Sequence, residues 1–487
     1  MEQHNAIIKP SYHDRLTNDD LAPLKKQTWG SYNIFAFWMS DVHSVGGYVT
    51  AGSLFALGLS SWQVLVALLA GIMIVQFFAN LVAKPSQVTS APYPVICRTT
   101  FGVLGANIPA IIRGLIAVAW YGIQTYLASG AFLLIVLKFF PQLAVYADLR
   151  QYGFAGLSYL GWLGFMVMWV LQAIVFWTGM DAIRKFIDWA GPAVYVVMFL
   201  LAAWLISKAG WSNIDLNLGG IKYSGAAAIP IMINATALVV SYFSGPMLNF
   251  GDFSRYGKDY RSVKRGNFWG LPVNFLGFSL LTVVCIAATL PLYGKLITDP
   301  VEMVSHIDNT FAVVLGGLTF MIATVGINIV ANFVSPAFDF SNVAPKLISW
   351  RMGGMIAAVA SIFITPWNLF NNPHVIHYTL DILGSFIGPL FGILIADFYL
   401  VKKQQVIVDD LYSMDPKGAY WYSNGYNPKA IIALIPSAVI PVLCVLLPSL
   451  ASLANFTWFI GMACGLAIYW TISDKQTMPK AAGAASA

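Results

Sequence analysis

Charge is what this 487-residue chain has least of: only 10% of its residues are charged, and glutamate occurs at two positions, Glu2 and Glu302. With 58% hydrophobic residues and a mean hydropathy of +0.71, that scarcity excludes an ordinary soluble domain and marks an integral membrane protein. Cysteine is scarce too. Cys97, Cys285, Cys444 and Cys464 lie in or beside apolar runs without metal-ligand spacing, and read as small hydrophobes. HExxH, GxSxG and P-loop patterns are missing, which together with the few carboxylates leaves little for hydrolytic or nucleotide-driven chemistry. Neither an enzyme nor a cofactor is expected.

What the chain has is long apolar runs. A bilayer crossing takes roughly 20 apolar residues, and twelve crossings are expected, at 33–58, 62–83, 106–137, 160–178, 187–207, 226–250, 269–293, 310–335, 353–366, 376–400, 430–449 and 455–472. The fold class is therefore all-α and membrane-embedded, with the lipid bilayer as its main surroundings. The polar start, MEQHNAIIKPSYHDRLTNDD, has no apolar core before a small-residue cleavage site, so the first span is expected to direct insertion. Placing both ends in the cytoplasm sorts the 27 Lys and Arg into 21 inside and 5 outside, with Arg113 left within the third span. A miscounted span would scramble that bias. The net charge of +6 thus reflects topology, and no nucleic-acid partner is expected.

Two spans carry helix breakers among polar residues. In the first, WMSDVHSVGGYVTAG, Asp41, His43 and Ser44 precede Gly46 and Gly47; in the sixth, VVSYFSGPMLNF, Gly245 and Pro246 stand side by side before Asn249. The two breaks are 199 residues and five spans apart, so the second copy crosses in the opposite sense. Paired interruptions of this kind point to a midplane binding site in secondary transporters. A structural kink absorbed by neighbouring helices is the alternative for either one alone.

Other polar residues fall at helical spacing. Trp120 and Gln124 are four apart on the third span, as are Asn328 and Asn332 on the eighth. Carboxamides offer donors and an acceptor together, which suits the N–H and C=O edge of a cyclic ureide, imide or nucleobase with an indole stacked on its face. The competing reading is plain interhelical bonding. Asp41, an acid within a span, is a candidate to carry a proton or help hold a cation, or else bonds loosened backbone. Asp381 has a weaker claim of the same kind, and His43 reads as structural.

The pieces WYGIQTY (120–126), RKFIDWAGP (184–192), LNFGDFSRY (248–256), ANFVSPAFD (331–339) and VDDLYS (408–413) resemble the first nucleobase-cation symport family, the bacterial allantoin, hydantoin, cytosine and uracil permeases, and are most similar to its allantoin and hydantoin branch. The resemblance covers essentially the whole chain. It implies a leucine-transporter-like fold of two inverted five-helix repeats at 31–207 and 226–400. Around these lie a cytoplasmic tail at 1–30, a cytoplasmic loop at 401–429, two accessory helices at 430–472 and a tail at 473–487. By the same resemblance Trp120 stacks on the substrate, Gln124 and Asn332 bond its edge, and Phe243, counted back nine from Asp252, closes the sandwich where relatives often have Trp. Tyr242 precedes it, and Ser44 takes a polar first-helix position. Sodium-dependent relatives bind the ion through carbonyls matching Ser40, His43 and Ala323 and two hydroxyls, which here fall on Gly326 and Ile327. Neither has a side-chain oxygen; Thr324, one turn before Ile327, is the candidate to compensate.

The sequence thus predicts a monomeric secondary-active importer of a planar N-heterocycle in the inner (plasma) membrane. Allantoin or a hydantoin is the expected substrate, and proton rather than sodium coupling is expected. A uracil, cytosine or purine permease of the same family is the alternative, then an amino-acid transporter of the same fold; a channel or receptor would show no concentrative uptake.

Overall fold

Ten helices in the computed structural model, which describes residues 6–370 and 381–474, are long and apolar enough to cross a membrane. A broken pair comes first, α1 (Ser31–Val42) and α2 (Val45–Phe55). There follow α3 (Ser61–Thr89), the short α4 (Tyr93–Phe101), α5 (Asn107–Phe139), α6 (Tyr159–Trp177) and α7 (Met180–Ala209). The next stretch holds α8 (Ala228–Leu248), α9 (Gly251–Ser254), α10 (Tyr260–Tyr293), α11 (Pro300–Ser305), α12 (Thr310–Val343), α13 (Trp350–Phe363) and α14 (Pro366–Phe370). Then come α15 (Asp381–Val401), α16 (Pro428–Leu446) and α17 (Thr457–Ile472). Among the described residues the only β-structure beyond isolated bridges is a hairpin of Gly153–Phe154 and Leu157–Ser158. The expected tenth span, 376–400, begins outside the described residues.

Packing explains why so apolar a chain still has an inside. Helix α3 lies against α8, α5 against α12, and α1 against α7 and α10. Large apolar side chains such as Phe77, Ile174, Phe199 and Phe311 remain on the outside. A water-facing surface would not tolerate that shell, whereas lipid does.

The first break falls at His43 and Ser44. His43 leaves helical geometry at φ −82°, ψ 85°, and Ser44 is extended at φ −145°, ψ 165°. The Ser44 hydroxyl then accepts the Gly47 N–H at 2.8 Å, capping α2. Glycine is required at 47 because a Cβ there would lie 2.4 Å from the Val42 carbonyl oxygen. Sequence reasoning set the break at the glycines; they are its consequence, one turn on.

The second break is not where the sequence placed it. Helix α8 runs through Gly245 and Pro246 to Leu248, and the interruption is at Asn249 and Phe250, before the single turn of α9. Pro246 removes the N–H that would bond the Tyr242 carbonyl, but it sits in the last turn, and Asn249 N–H still reaches Gly245 O at 3.5 Å. The eighth span is also longer than expected, 310–343 against 310–335, and carries a π-turn at Asn328–Phe333.

Residues 6–30 are pinned across one end of the bundle. Asn18 Nδ2 donates to Ser341 Oγ at 2.9 Å, and Tyr412 Oη donates to the Leu21 carbonyl at 2.8 Å. Arg255 donates to the carbonyls of Asp20 and Ala22, and Lys9 pairs with Asp409 at 2.7 Å.

Candidate functional site

A cavity of about 290 Å³ lies among α1, α2, α5, α8, α12, α15 and the start of α17. Of the residues singled out from sequence, Asp41, Trp120, Gln124, Tyr242, Ile327 and Asn332 line it, as does Asp381. Trp120 and Gln124 reach it from one stripe of α5. Gln124 is 3% exposed and its Oε1 has no protein partner; buried carbonyl oxygens of this kind need an explanation. A methyl added at Gly46 would lie 3.5 Å from Gln124 Nε2, 3.6 Å from Tyr242 Oη and 3.7 Å from Ser44 Oγ. Those polar groups therefore converge over the bare Cα of Gly46. The Tyr242 hydroxyl and Asp41 Oδ1 are likewise buried without a protein partner.

Asn332 is held from behind. Its Nδ2 donates to Asn328 Oδ1 at 3.1 Å, while Asn328 Nδ2 donates to Gln172 Oε1 at 2.5 Å and Thr125 Oγ1 at 3.1 Å. Gln172 Nε2 in turn donates to Thr125 Oγ1 and the Met168 carbonyl. The relay commits one Asn332 N–H and leaves its Oδ1 and second N–H for the cavity. It threads the π-turn of α12, a distortion frequent at functional positions.

Phe243, expected from the resemblance to close the sandwich, is placed outside the cavity lining. It is fully buried, packs edge-on to Phe275 with centroids 5.3 Å apart, and does not face the cavity. From α8 the cavity is lined by Leu238, Ser241, Tyr242, Ser244, Gly245 and Pro246, and Phe243 is not among them. Tyr242 is the aromatic residue of α8 that lines the cavity. Ser44 is placed next to the cavity, its hydroxyl engaged as the α2 cap.

The residues proposed for an ion lie where α1 meets α12. Ser40 Oγ would stand 3.6 Å from a Cβ at Gly326. Ser40 Oγ and Thr324 Oγ1 are buried without protein partners. Gly326 and Ile327 add no side-chain oxygen, and Ala323 adds only its backbone. The two positions matching the hydroxyl ligands of sodium-dependent relatives therefore offer a hard cation no side-chain oxygen. His43 is structural: its Nε2 pairs with Asn274 Oδ1 at 2.9 Å, and its ring stacks on Phe278.

Arg113 was missed. It lines the cavity fully buried, with Nε donating to Asn249 Oδ1 at 3.3 Å and Nη2 to the Ala331 carbonyl at 2.8 Å. It thereby ties the α8 break to the π-turn. The signal was present: Arg113 is seven residues before Trp120, on the same stripe.

Residues 22–471 match a family of permeases for cytosine/purines, uracil, thiamine and allantoin. The chain is 32% identical over 459 residues to the allantoin permease of Bacillus subtilis (strain 168), covering 94% of this chain and 93% of the relative. It is 31% identical over 475 residues to the purine-uracil permease NCS1 of Arabidopsis thaliana, covering 94% and 78%. In fold it is similar to Mhp1, a nucleobase-cation-symport-1 family transporter solved closed with bromovinylhydantoin bound. That match has a TM-score of 0.73 at 20% identity, over 95% of this chain and 94% of that one.

Proposed function

The chain belongs to the nucleobase-cation-symport-1 family of permeases, a multi-pass membrane transporter and not an enzyme, and from that premise we propose that it imports allantoin or a hydantoin by cation-coupled alternating access. One observation carries the substrate reading: Trp120, Gln124 and Asn332 meet at one cavity, with Gln124 Oε1 lacking a protein partner. An indole face plus two amide groups matches a flat ring whose edge alternates N–H and C=O. The allantoin permease relative and the hydantoin bound to Mhp1 support the same class. The Arabidopsis purine-uracil permease supports the second reading, a nucleobase permease.

The proposed architecture counts twelve crossings: the ten long helices, the broken pair α1 and α2, and the 14-residue α13. Its repeats are 31–207 and 226–400, with 430–472 accessory. The positive-inside bias supports cytoplasmic termini in the inner membrane, and the protein is taken to act as a monomer. The missing oxygens at Gly326 and Ile327 support protons over sodium as the driving ion, with Asp41 at the helix break beside the cavity.

In proteoliposomes, labelled allantoin uptake driven separately by a pH and a sodium gradient tests this, together with competition by hydantoins, uracil, cytosine, purines and amino acids. The expected result is pH-driven uptake competed by ureides. Stimulation by sodium alone would discard proton coupling, and competition by amino acids alone would discard the substrate class. Gln124→Ala and Asn332→Ala should each abolish binding at normal protein levels; unchanged affinity in both would mean the pocket lies elsewhere.

A further inference from the structure

Beyond Arg113, on the side where residues 6–30 pack, is a second group of buried polar side chains that substrate binding does not use. Asp252 of α9 and Asp339 of α12 are both fully buried, their helices touch, and the carboxylates are close enough to repel one another. Asp252 Oδ1 accepts the Tyr93 N–H at 2.8 Å. Its Oδ2 has no partner, and neither oxygen of Asp339 has one. Tyr93 Oη, Ser335 Oγ and Arg113 Nη1 are also buried and unpartnered. Ser335 approaches Asp252 without hydrogen-bond geometry, and Tyr93 and Cys97 of α4 face Asp339.

Positive charge nearby is insufficient. Arg113 faces both carboxylates and Asp41 as well. Arg255 acts on Asp252 only through space, because its donors go to the carbonyls of Ser90, Asp20 and Ala22. An ionised carboxylate sealed from water without hydrogen bonds costs several kcal/mol, and two side by side cost more. A proton removes the repulsion and adds a donor for an orphaned oxygen. A metal cation fits poorly beside a guanidinium, and among the described residues no group of three or more His, Cys, Asp or Glu is placed to hold one.

We propose that Asp252 and Asp339 form a buried proton-binding site in which one of the two carboxylates is protonated, with the Tyr93 and Ser335 hydroxyls beside it and Arg113 linking it to the substrate cavity. Losing the proton sets a second negative charge facing Arg113 and draws the guanidinium from Asn249 and the Ala331 carbonyl, the two groups it ties at the cavity floor. The role in transport rests on the proton-coupled reading above; the site itself does not.

Infrared spectroscopy of the full-length protein in lipid at neutral pH separates the two. A protonated-carboxyl C=O stretch is expected, lost in Asp339→Asn, shifted in Asp252→Asn and restored in Asp339→Glu. A spectrum without such a band, or a band unchanged in both asparagine variants, overturns the site. Displacement of the band by sodium at constant pH also overturns it, since the pair would then be a metal site. If the band behaves as expected while wild-type uptake ignores a pH gradient, the site stands and the coupling reading falls. Where both hold, Asp339→Asn loses the pH dependence of uptake.

Discussion

Gln172 never touches the cavity, yet it sets which atoms Asn332 offers there. Its Oε1 takes Asn328 Nδ2, which frees Asn328 Oδ1 to take Asn332 Nδ2. Gln172→Leu leaves that Asn328 N–H with Thr125 Oγ1 and the Tyr121 carbonyl and lets the amide turn. Substrate affinity should fall by about 1–3 kcal/mol, the cost of a buried polar group left badly paired, measured by ligand binding to the purified protein. Unchanged affinity would mean Asn332 holds its orientation without the relay. The residue scale was legible where one helix supplied the answer, as with Trp120 and Gln124. At Phe243 a position counted along the chain from Asp252 did not say which way the side chain points: the ring packs on Phe275 and not in the cavity lining. Asp252 and Asp339 lay inside quoted motifs without a role, since nothing in the sequence shows that they share one buried space.

At the scale of elements, the two neighbouring glycines of the first break should respond differently to one methyl. In Gly47→Ala the Cβ meets the Val42 carbonyl oxygen at 2.4 Å, a rigid neighbour that cannot move without opening the break. A thermal melt should show destabilisation of about 1–3 kcal/mol, as for overpacking. In Gly46→Ala the Cβ meets only side-chain atoms at 3.5 Å and beyond, so the melt should be near wild type while substrate binding weakens. Equal melts for the two would contradict this account of the break. The break was readable because glycine is its chemical trace; the π-turn left none. The N-terminal segment makes a pH prediction. Hydrogen bonding to Lys9 holds the Asp409 carboxyl below the usual carboxylate range, and Lys346 does the same for Asp14. Their contribution is present at neutral pH and is lost as pH falls through the depressed values, below about pH 4. The Lys9 and Asp409 side chains are 48% and 53% exposed, so that pair is worth at most about 1 kcal/mol. Asp20 runs the other way: burial raises it, so acid relieves rather than weakens its site. Hydrogen-exchange protection factors at residues 6–16, taken relative to the unstructured-peptide rate at each pH, should be lower near pH 3 than at pH 6, and Asp409→Asn should reduce that difference.

The whole molecule carries a period that no single motif shows. Helices α3 and α10 begin 199 residues apart, and α5 and α12 begin 203 apart, each of the latter preceded by a short helix. In the proposed inverted-repeat architecture, such a period would let one half rock against the other around a fixed site. The ends of the cavity differ accordingly. At one, Ser53 is exposed and lines the cavity along with Asn455; toward the other, Arg113 lines it fully buried, and residues 6–30 are hydrogen-bonded across that side of the bundle. In the proposed topology, with cytoplasmic termini, the Ser53 end faces outward. Three of the four cysteines are buried, so a Cys464→Ser background allows single cysteines to report on access. Ser53→Cys should react with a membrane-impermeant maleimide added outside intact cells, and saturating substrate should slow that reaction as the cavity closes over it. Asn18→Cys, at the opposite seal, should be protected in the resting protein and react faster from the cytoplasmic side during turnover. Reaction of Ser53→Cys only from the cytoplasmic side would invert the topology, and substrate-independent rates at both positions would rule out alternating access through this cavity.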